Sequence, residues 1–312
     1  MHGKIYDKHT LIKYRCYLNF DNTFIELPFE FRHTGGKKMN ILVTNDDGVS
    51  APGLLTLAQA MQSFGTIKVL APDHNWSGSG HVKTLDRPLR VKEVRLTDKI
   101  TAWASDGAPS DCVALAMHGF FDEKFDLVVS GINPMPNLGH DVTYSGTVTA
   151  AMEALIWGVP GIAFSLGSVE NGLEISDYAP AARLAQNVVD AIIKNGLPID
   201  TLLNVNIPML PDDQIKGFRT TRLGLRVYRD RLDERVDPRG RPYYWIGGDT
   251  PTGIPEDGTD IGALCEGYVS LTPLQLDLTA YNSMGWVKKW GLDVNTLIKN
   301  QLHMLNLAFQ ER

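Results

Sequence analysis

The chain has 312 residues, with 30 Lys and Arg against 36 Asp and Glu for a formal net charge of −6. That length can bury a large core. The mildly acidic balance argues against a general nucleic-acid binder, which carries a basic excess, and no apolar run approaches the roughly 18 residues that span a bilayer. No secretory signal is evident at the start. Cys16, Cys112 and Cys265 lie far apart without CxxC spacing, which argues against a disulfide framework or structural zinc and fits a reducing cytosol.

Residues 1–38 lack a helical or strand period and end in Gly35-Gly36-Lys37-Lys38. They read as a poorly packed N-terminal extension, or as the product of an upstream start codon with Met39 as the natural beginning, with a partner-binding arm as the competing reading. Residues 39–45 (MNILVTN) predict a buried strand. Ser50 is placed to cap a helix with Pro52 in its first turn that runs through LLTLAQAMQSF. Strand 66–72 (TIKVLAP), the polar loop DHNWSGSGH and a helix from near Pro109 (DCVALAMHGFF) follow. Then come strand 126–132 (DLVVSGI), helix 145–157, strand 160–166 (PGIAFSL), helix 179–194 and strand 201–207 (TLLNVNI). Strands alternating with helices of this length predict an α/β fold, a Rossmann-like parallel-sheet sandwich over residues 39–215. In such sheets ligands sit outside the carboxyl ends of the strands.

The rhythm breaks after about residue 215. Residues 216–250 are arginine-rich, with turn signals at Pro238-Arg239-Gly240 and Gly247-Gly248, and predict β-hairpins. Residues 268–280 (YVSLTPLQLDLTA) alternate as a half-buried strand, and 293–309 carry a helical apolar stripe from Val294 to Phe309. Residues 216–312 thus form a hairpin arm, a returning strand and a C-terminal helix, expected to serve oligomerisation.

The chemistry concentrates at strand ends. Asp46 and Asp47 stand side by side where the first strand gives way to Gly48. Adjacent residues of a regular strand face opposite ways, so the two carboxylates cooperate only where the chain is turning, and Gly48 permits the turn. Two unpaired carboxylates repel, and a divalent cation is the simplest remedy; hard oxygen ligands favour Mg²⁺ or Mn²⁺. Taken alone, the pair is equally well read as one helix cap and one solvated charge. Ser77 in the second loop and Asn133 at the end of DLVVSGIN add neutral oxygen donors at equivalent strand ends. Ser145-Gly146-Thr147 opens a helix whose free N–H groups and dipole suit a phosphate, although a plain N-cap is the commoner use of such a serine. Asn137, in the preceding loop, offers a further N–H donor.

The motifs NDDG-x-x-APG, N-x-SG, SGIN-x-x-PNLG and YSGT-x-x-AAMEA are followed by LNVNIP, DPRGRPYYWIGG, GTD and GYVSLTPLQLDLTAY. In order and approximate spacing this series resembles the SurE family over about residues 39–282. The resemblance implies a metal-dependent phosphatase acting on nucleoside 5′- and 3′-monophosphates and, in some members, on short polyphosphate. It implies one Mg²⁺ or Mn²⁺ per subunit on Asp46, Asp47, Ser77 and Asn133, and phosphate-binding positions at Asn137, Ser145, Gly146 and Thr147. It also implies a homodimer or homotetramer that exchanges its C-terminal hairpin and helix; the composition adds the expectation of a cytoplasmic protein without stable nucleic-acid or membrane binding. The chain departs from the family pattern at Pro134-Met135, in the segment GSGHVKTL and in the N-terminal extension; no implied ligand is removed.

A metal-assisted water is the expected nucleophile, with covalent attack by Asp46 as the alternative. His74, His81 and His140 lie in or near the site loops, but none is assigned as a general acid, and His118 reads as structural. The arginine run at 216–241, interspersed with Asp230, Asp233, Glu234 and Asp237, favours inter-subunit ion pairs over polyanion binding. Tyr243, Tyr244 and Trp245 suit an interface or core at least as well as base stacking. Two other functional classes compete. A non-catalytic nucleotide-binding module fits the same sheet. A nicotinamide-dependent oxidoreductase is disfavoured because the first strand–helix turn is NDDGVSAPG instead of GxGxxG.

Overall fold

The computed structural model describes residues 38–167, 177–248, 251–290 and 292. The expected N-terminal extension, apart from Lys38, and the stripe at 293–309 lie outside the described residues. Two compact units divide between Gln275 and Leu276.

The first unit is built on a sheet of nine described strands, in the order β3-β4-β2-β1-β5-β6-β7-β13-β8. The strands are β1 (Met39–Thr44), β2 (Gly65–Pro72), β3 (Val91–Arg95), β4 (Thr101–Ser105), β5 (Leu127–Asn133), β6 (Gly161–Gly167), β7 (Leu202–Pro208), β8 (Phe218–Thr220) and β13 (Val269–Leu274). From β4 to β7 every neighbouring pair is parallel; β3 and β13 join antiparallel to β4 and β7. Helices α1 (Pro52–Met61) and α4 (Ala179–Asn195) cover one face, and α2 (Pro109–Leu115) and α3 (Gly146–Ile156) the other. Alternate residues of β1 divide accordingly. Ile41 and Val43 enter the cluster under α1 and α4, and Leu42 the cluster under α2 and α3. Burial on both faces explains why the central strands read as continuous apolar runs.

From β1 the chain first builds outward to β2, then returns to place β5 on the other side of β1. The crevice between the ends of β1 and β5 is therefore the topological switch point, where α/β sheets bind ligands.

Several local expectations change. Ala51, not Ser50, is the N-cap of α1, with no side-chain cap; Pro52 alone marks the helix start. The hairpin β3–β4 and the short helix α5 (Asp260–Cys265) were not legible in the sequence pattern. The predicted strand 268–280 is ordered as strand only over β13. The arm consists of β10 (Asp230–Val236) and β11 (Pro242–Gly248), turning at Pro238-Arg239-Gly240 as predicted; short strands β9 (Arg226–Val227) and β12 (Thr252–Gly253) pair at its base. Within the arm Arg235 pairs with Asp233 at 2.7 Å and Arg241 with Asp237 at 3.2 Å, so these charges find partners inside the chain. In the second unit, helix α6 (Tyr281–Lys288) is led by Asp277, whose carboxylate accepts from the Tyr281 hydroxyl.

Candidate active site

Strand β1 ends at Thr44, and the next four residues form a tight turn. The side-chain amide of Asn45 donates to the Gly48 carbonyl at 3.0 Å, and Gly48 adopts φ +106°, a backbone state that disfavours any side chain. The Val49 N–H donates to Pro72 O at 2.7 Å, fastening the turn to the end of β2.

Asp46 is 3% exposed. The first turn of α3 abuts it: a Cβ on Gly146 would lie 2.6 Å from the Asp46 Cβ and 2.9 Å from Oδ2, so only glycine admits this approach. The Thr147 hydroxyl donates to Asp46 Oδ1. Burial raises the Asp46 pKa, opposed by hydrogen bonds from Thr147 and the Gly146 N–H. The positive end of the α3 dipole is thus aimed at this carboxylate. Asp47 is raised to about 7, first by burial and then by the Asp46 charge. Tyr178, just ahead of α4, is raised by burial and by Asp47. Among the described residues no Lys, Arg or His forms an ion pair with either aspartate; His74 and His81 pair instead with Asp73 and Glu153.

The other predicted site residues converge on the same edge of the sheet. The Trp76 N–H donates to Asp46 O at 2.7 Å, so the loop carrying Ser77 is tied to the aspartate turn; Ser77 itself is exposed, its N–H turned to Asn75 Oδ1 at 2.7 Å. Asn133 ends β5, and its Nδ2 donates to Met135 O at 2.5 Å, leaving Oδ1 without a hydrogen-bond partner among the described residues. Asn137 is buried and held on every side. Its N–H donates to Asn206 Oδ1 at 2.7 Å, its carbonyl accepts from Asn204 and Asn206, and its Nδ2 donates to Ser165 Oγ at 2.8 Å. Ser145 is the N-cap of α3, accepting from the Val148 N–H at 3.1 Å, with its own O–H still available. Thr147 has one hydroxyl hydrogen, given to Asp46, so of the two hydroxyls expected to donate outward only that of Ser145 remains free to do so in this state.

Residues without an assigned role in the sequence reading hold these loops. Asp260 is fully buried; its Oδ2 accepts from Gly139 N at 2.8 Å, and its Oδ1 accepts from Gly224 N at 2.7 Å and Ile261 N at 2.8 Å. Arg226 Nε donates to Asp141 Oδ2 at 2.6 Å. Glu153 accepts from His81 Nε2 at 2.9 Å, Lys83 Nζ at 2.8 Å and Trp157 Nε1 at 2.9 Å. AAMEA and GTD both carry these acids, but nothing local in the sequence reveals partners 70 and 121 residues away.

The Glu153 cluster has a measurable signature. Burial raises its pKa, but His81, Lys83 and Trp157 together outweigh that and bring it from 4.5 to about 2. A carboxylate held below its unfolded value stabilises the fold above the unfolded pKa, and that contribution disappears as pH falls through about 2. At 1.36 kcal/mol per pKa unit the contribution is on the order of 3 kcal/mol. Glu153→Gln is therefore expected to be less stable than the parent at pH 7. The gap in urea midpoint should shrink from about pH 4 down to about 2, as the carboxylate of the unfolded parent protonates before that of the folded one. A gap independent of pH would assign the loss to packing.

A family model described as Survival protein SurE matches residues 41–230. This chain belongs to the SurE family. It is 51% identical over 251 residues to the 5′-nucleotidase SurE of Herpetosiphon aurantiacus, covering 80% of this chain and 96% of that one. It is 50% identical over 252 residues to the 5′-nucleotidase SurE of Chloroflexus aggregans, covering 81% and 99%. The crystal structure of the SurE protein from Aquifex aeolicus superposes with a TM-score of 0.69 at 43% identity, covering 81% of this chain and 99% of that one. The aspartate turn, the α3 terminus and strands β2 to β8 therefore all lie inside the residues that match the SurE family.

Proposed function

We propose that the protein is a phosphomonoesterase that hydrolyses nucleoside 5′-monophosphates to nucleoside and phosphate with one Mg²⁺ or Mn²⁺ per subunit. The observation that carries this reading is the Asp46–Asp47 pair at the switch point of the sheet, Asp46 buried and raised by that burial, Asp47 half-buried and raised by burial and by the Asp46 charge, with no cationic partner among the described residues. Such a pair fits a divalent cation. No three His, Cys, Asp or Glu gather as a metal cluster among the described residues, so the remaining ligands would be the neutral oxygens of Ser77 and Asn133 and water, a set that suits Mg²⁺ or Mn²⁺. The names of the relatives support the substrate class.

When bound, the cation supplies Lewis acidity to a phosphoryl oxygen and lowers the pKa of water. The chain supplies position and charge. The N-terminus of α3 favours negative charge; its Gly146 and Thr147 N–H groups face Asp46, and the Ser145 O–H is the donor left free beside them. Asn137, immobilised by β6 and β7, adds a preorganised amide for a second phosphoryl oxygen. Asp46 is enclosed by Thr147 and α3, which suits a fixed ligand better than a nucleophile that must travel to phosphorus. Water therefore forms the new P–O bond as the bond to the ribose oxygen breaks. The reading extends to 3′-monophosphates and short polyphosphate, which present the same terminal phosphoryl group.

Leu232, Val236, Tyr243, Tyr244, Trp245 and Ile246 of the arm are exposed, an apolar concentration that supports the reading of the arm as a contact in a homodimer or homotetramer. No described helix is long and apolar enough to cross a membrane; the cytoplasm remains the proposed location. Inorganic phosphate release from AMP, measured with Mg²⁺, with Mn²⁺ and with EDTA, tests the activity. Release is expected only with metal. AMP binding without release in all three conditions would overturn the catalytic reading in favour of a nucleotide-binding module.

A further inference from the structure

The rim of the site carries an aromatic pair that the chemistry above does not use. His74 and Trp76 lie in the loop after β2. Because the Trp76 N–H donates to Asp46 O at 2.7 Å, the indole rides on the same turn as the carboxylates. The His74 main chain packs directly on Gly48, where an added Cβ would lie 3.3 Å from the His74 carbonyl. The two rings meet with centroids 5.1 Å apart and planes tilted by 32°. His74 Nδ1 bonds Asp73 Oδ1 at 2.5 Å, which fixes the imidazole, yet that side chain is 61% exposed. The indole N–H of Trp76 is enclosed and has no hydrogen-bond partner among the described residues, whereas a buried indole N–H normally finds one.

An exposed imidazole fixed against a half-buried indole presents a flat π-surface, which recognises another flat π-system. Nucleobases are such groups, and stacking on aromatic side chains tolerates every base because each has a π-face. We propose that His74 and Trp76 form the base platform of this enzyme, with the phosphate end of the substrate at Asp46, Ser77 and the α3 terminus. The proposal rests on the phosphomonoesterase reading and extends it by assigning the nucleoside end. The plainer alternative is that the two rings only pack the loop.

The test compares kcat/KM for AMP with kcat/KM for ribose 5-phosphate, which has the same ester and no base. Damage to the shared phosphate site lowers both values, so their ratio reports the base alone. The parent is expected to favour AMP. Trp76→Ala is expected to lower the ratio about tenfold, the scale of one base–aromatic stack, and Trp76→Phe, which keeps the π-face, to retain most of it. An unchanged ratio in Trp76→Ala overturns the platform. So does a loss that follows Tyr144→Ala instead; Tyr144 is the exposed aromatic on the Ser145 side. If the parent hydrolyses neither ester, the phosphomonoesterase reading falls by itself. Calorimetric binding of adenosine then decides the platform: about tenfold weaker binding in Trp76→Ala upholds it, and equal binding overturns it.

Discussion

Asp46→Asn and Asp47→Asn are each expected to reduce metal-dependent AMP turnover by about 10³-fold or more while leaving the fold intact. Lewis-acid stabilisation of a transferring phosphoryl group is worth several kcal/mol, and about 4 kcal/mol corresponds to 10³ in rate. Asparagine keeps the shape of each side chain but removes the charge that holds a divalent ion. The stability readout should move the other way. In EDTA the buried Asp46 and half-buried Asp47 carboxylates repel, and burial, then that repulsion, bring the Asp47 pKa up to about 7. Neutralising one of them removes the repulsion, so Asp47→Asn is expected to melt higher than the parent without metal. Added Mn²⁺ should raise the melting temperature of the parent, because a ligand bound only by the native state stabilises it, and should raise that of the variant far less. A circular dichroism spectrum matching the parent establishes that the fold survives. Near-normal turnover in both variants would remove the metal from this site.

The parts of this arrangement that a sequence reveals are those encoded locally. MNILVTN followed by DDG shows a strand that ends on two acids, and the β–α alternation places that end at the ligand-binding edge of a parallel sheet. Ser145-Gly146-Thr147 announces a helix start in three residues. The edge hairpin β3–β4 escaped because VKEVR exposes Lys92, Glu93 and Arg95, which blurs the period of two. Helix α5 escaped because DIGALC spans fewer than two turns, too short for a 3.6-residue period to repeat. Long-range bonds left no local trace. Thr147 and Asp46 are 101 residues apart, so the hydroxyl counted as a phosphate donor is found on a carboxylate. The N-cap of α1 shows a different limit. Ser50 has the right chemistry one position too early, and Pro52 sets the start by its fixed φ without a capping side chain.

Asp260→Ala and Asp260→Asn are expected to separate the stability contribution of the buried clamp from its control of the phosphate loop. Asp260 joins three segments: Gly139, two residues beyond Asn137; Gly224, at the foot of the arm; and Ile261, at the start of α5. Burial raises its pKa and outweighs the opposing N–H bonds, so the charge itself is not the source of stability; satisfaction of three main-chain donors is. Alanine would leave them orphaned, at about 1–3 kcal/mol for each buried group, for a total loss of roughly 3–9 kcal/mol and a melting temperature lower by about 10 °C or more. Asparagine relieves the buried charge and can still accept from Gly224 and Ile261 through Oδ1, but its amide then faces the Gly139 N–H, donor against donor. Its stability should stay within about 1–2 kcal/mol of the parent, while the loop bearing Asn137 is released at one point. Because a misplacement of about 1 Å near a reacting group reduces rate by up to about 10²-fold, Asp260→Asn is expected to lose at least tenfold in kcat for AMP with Mn²⁺ affinity near that of the parent, since none of the proposed metal ligands touches this clamp. Loss of metal affinity in step with kcat would place Asp260 in the general stability of the sheet edge instead of the positioning of the phosphate loop.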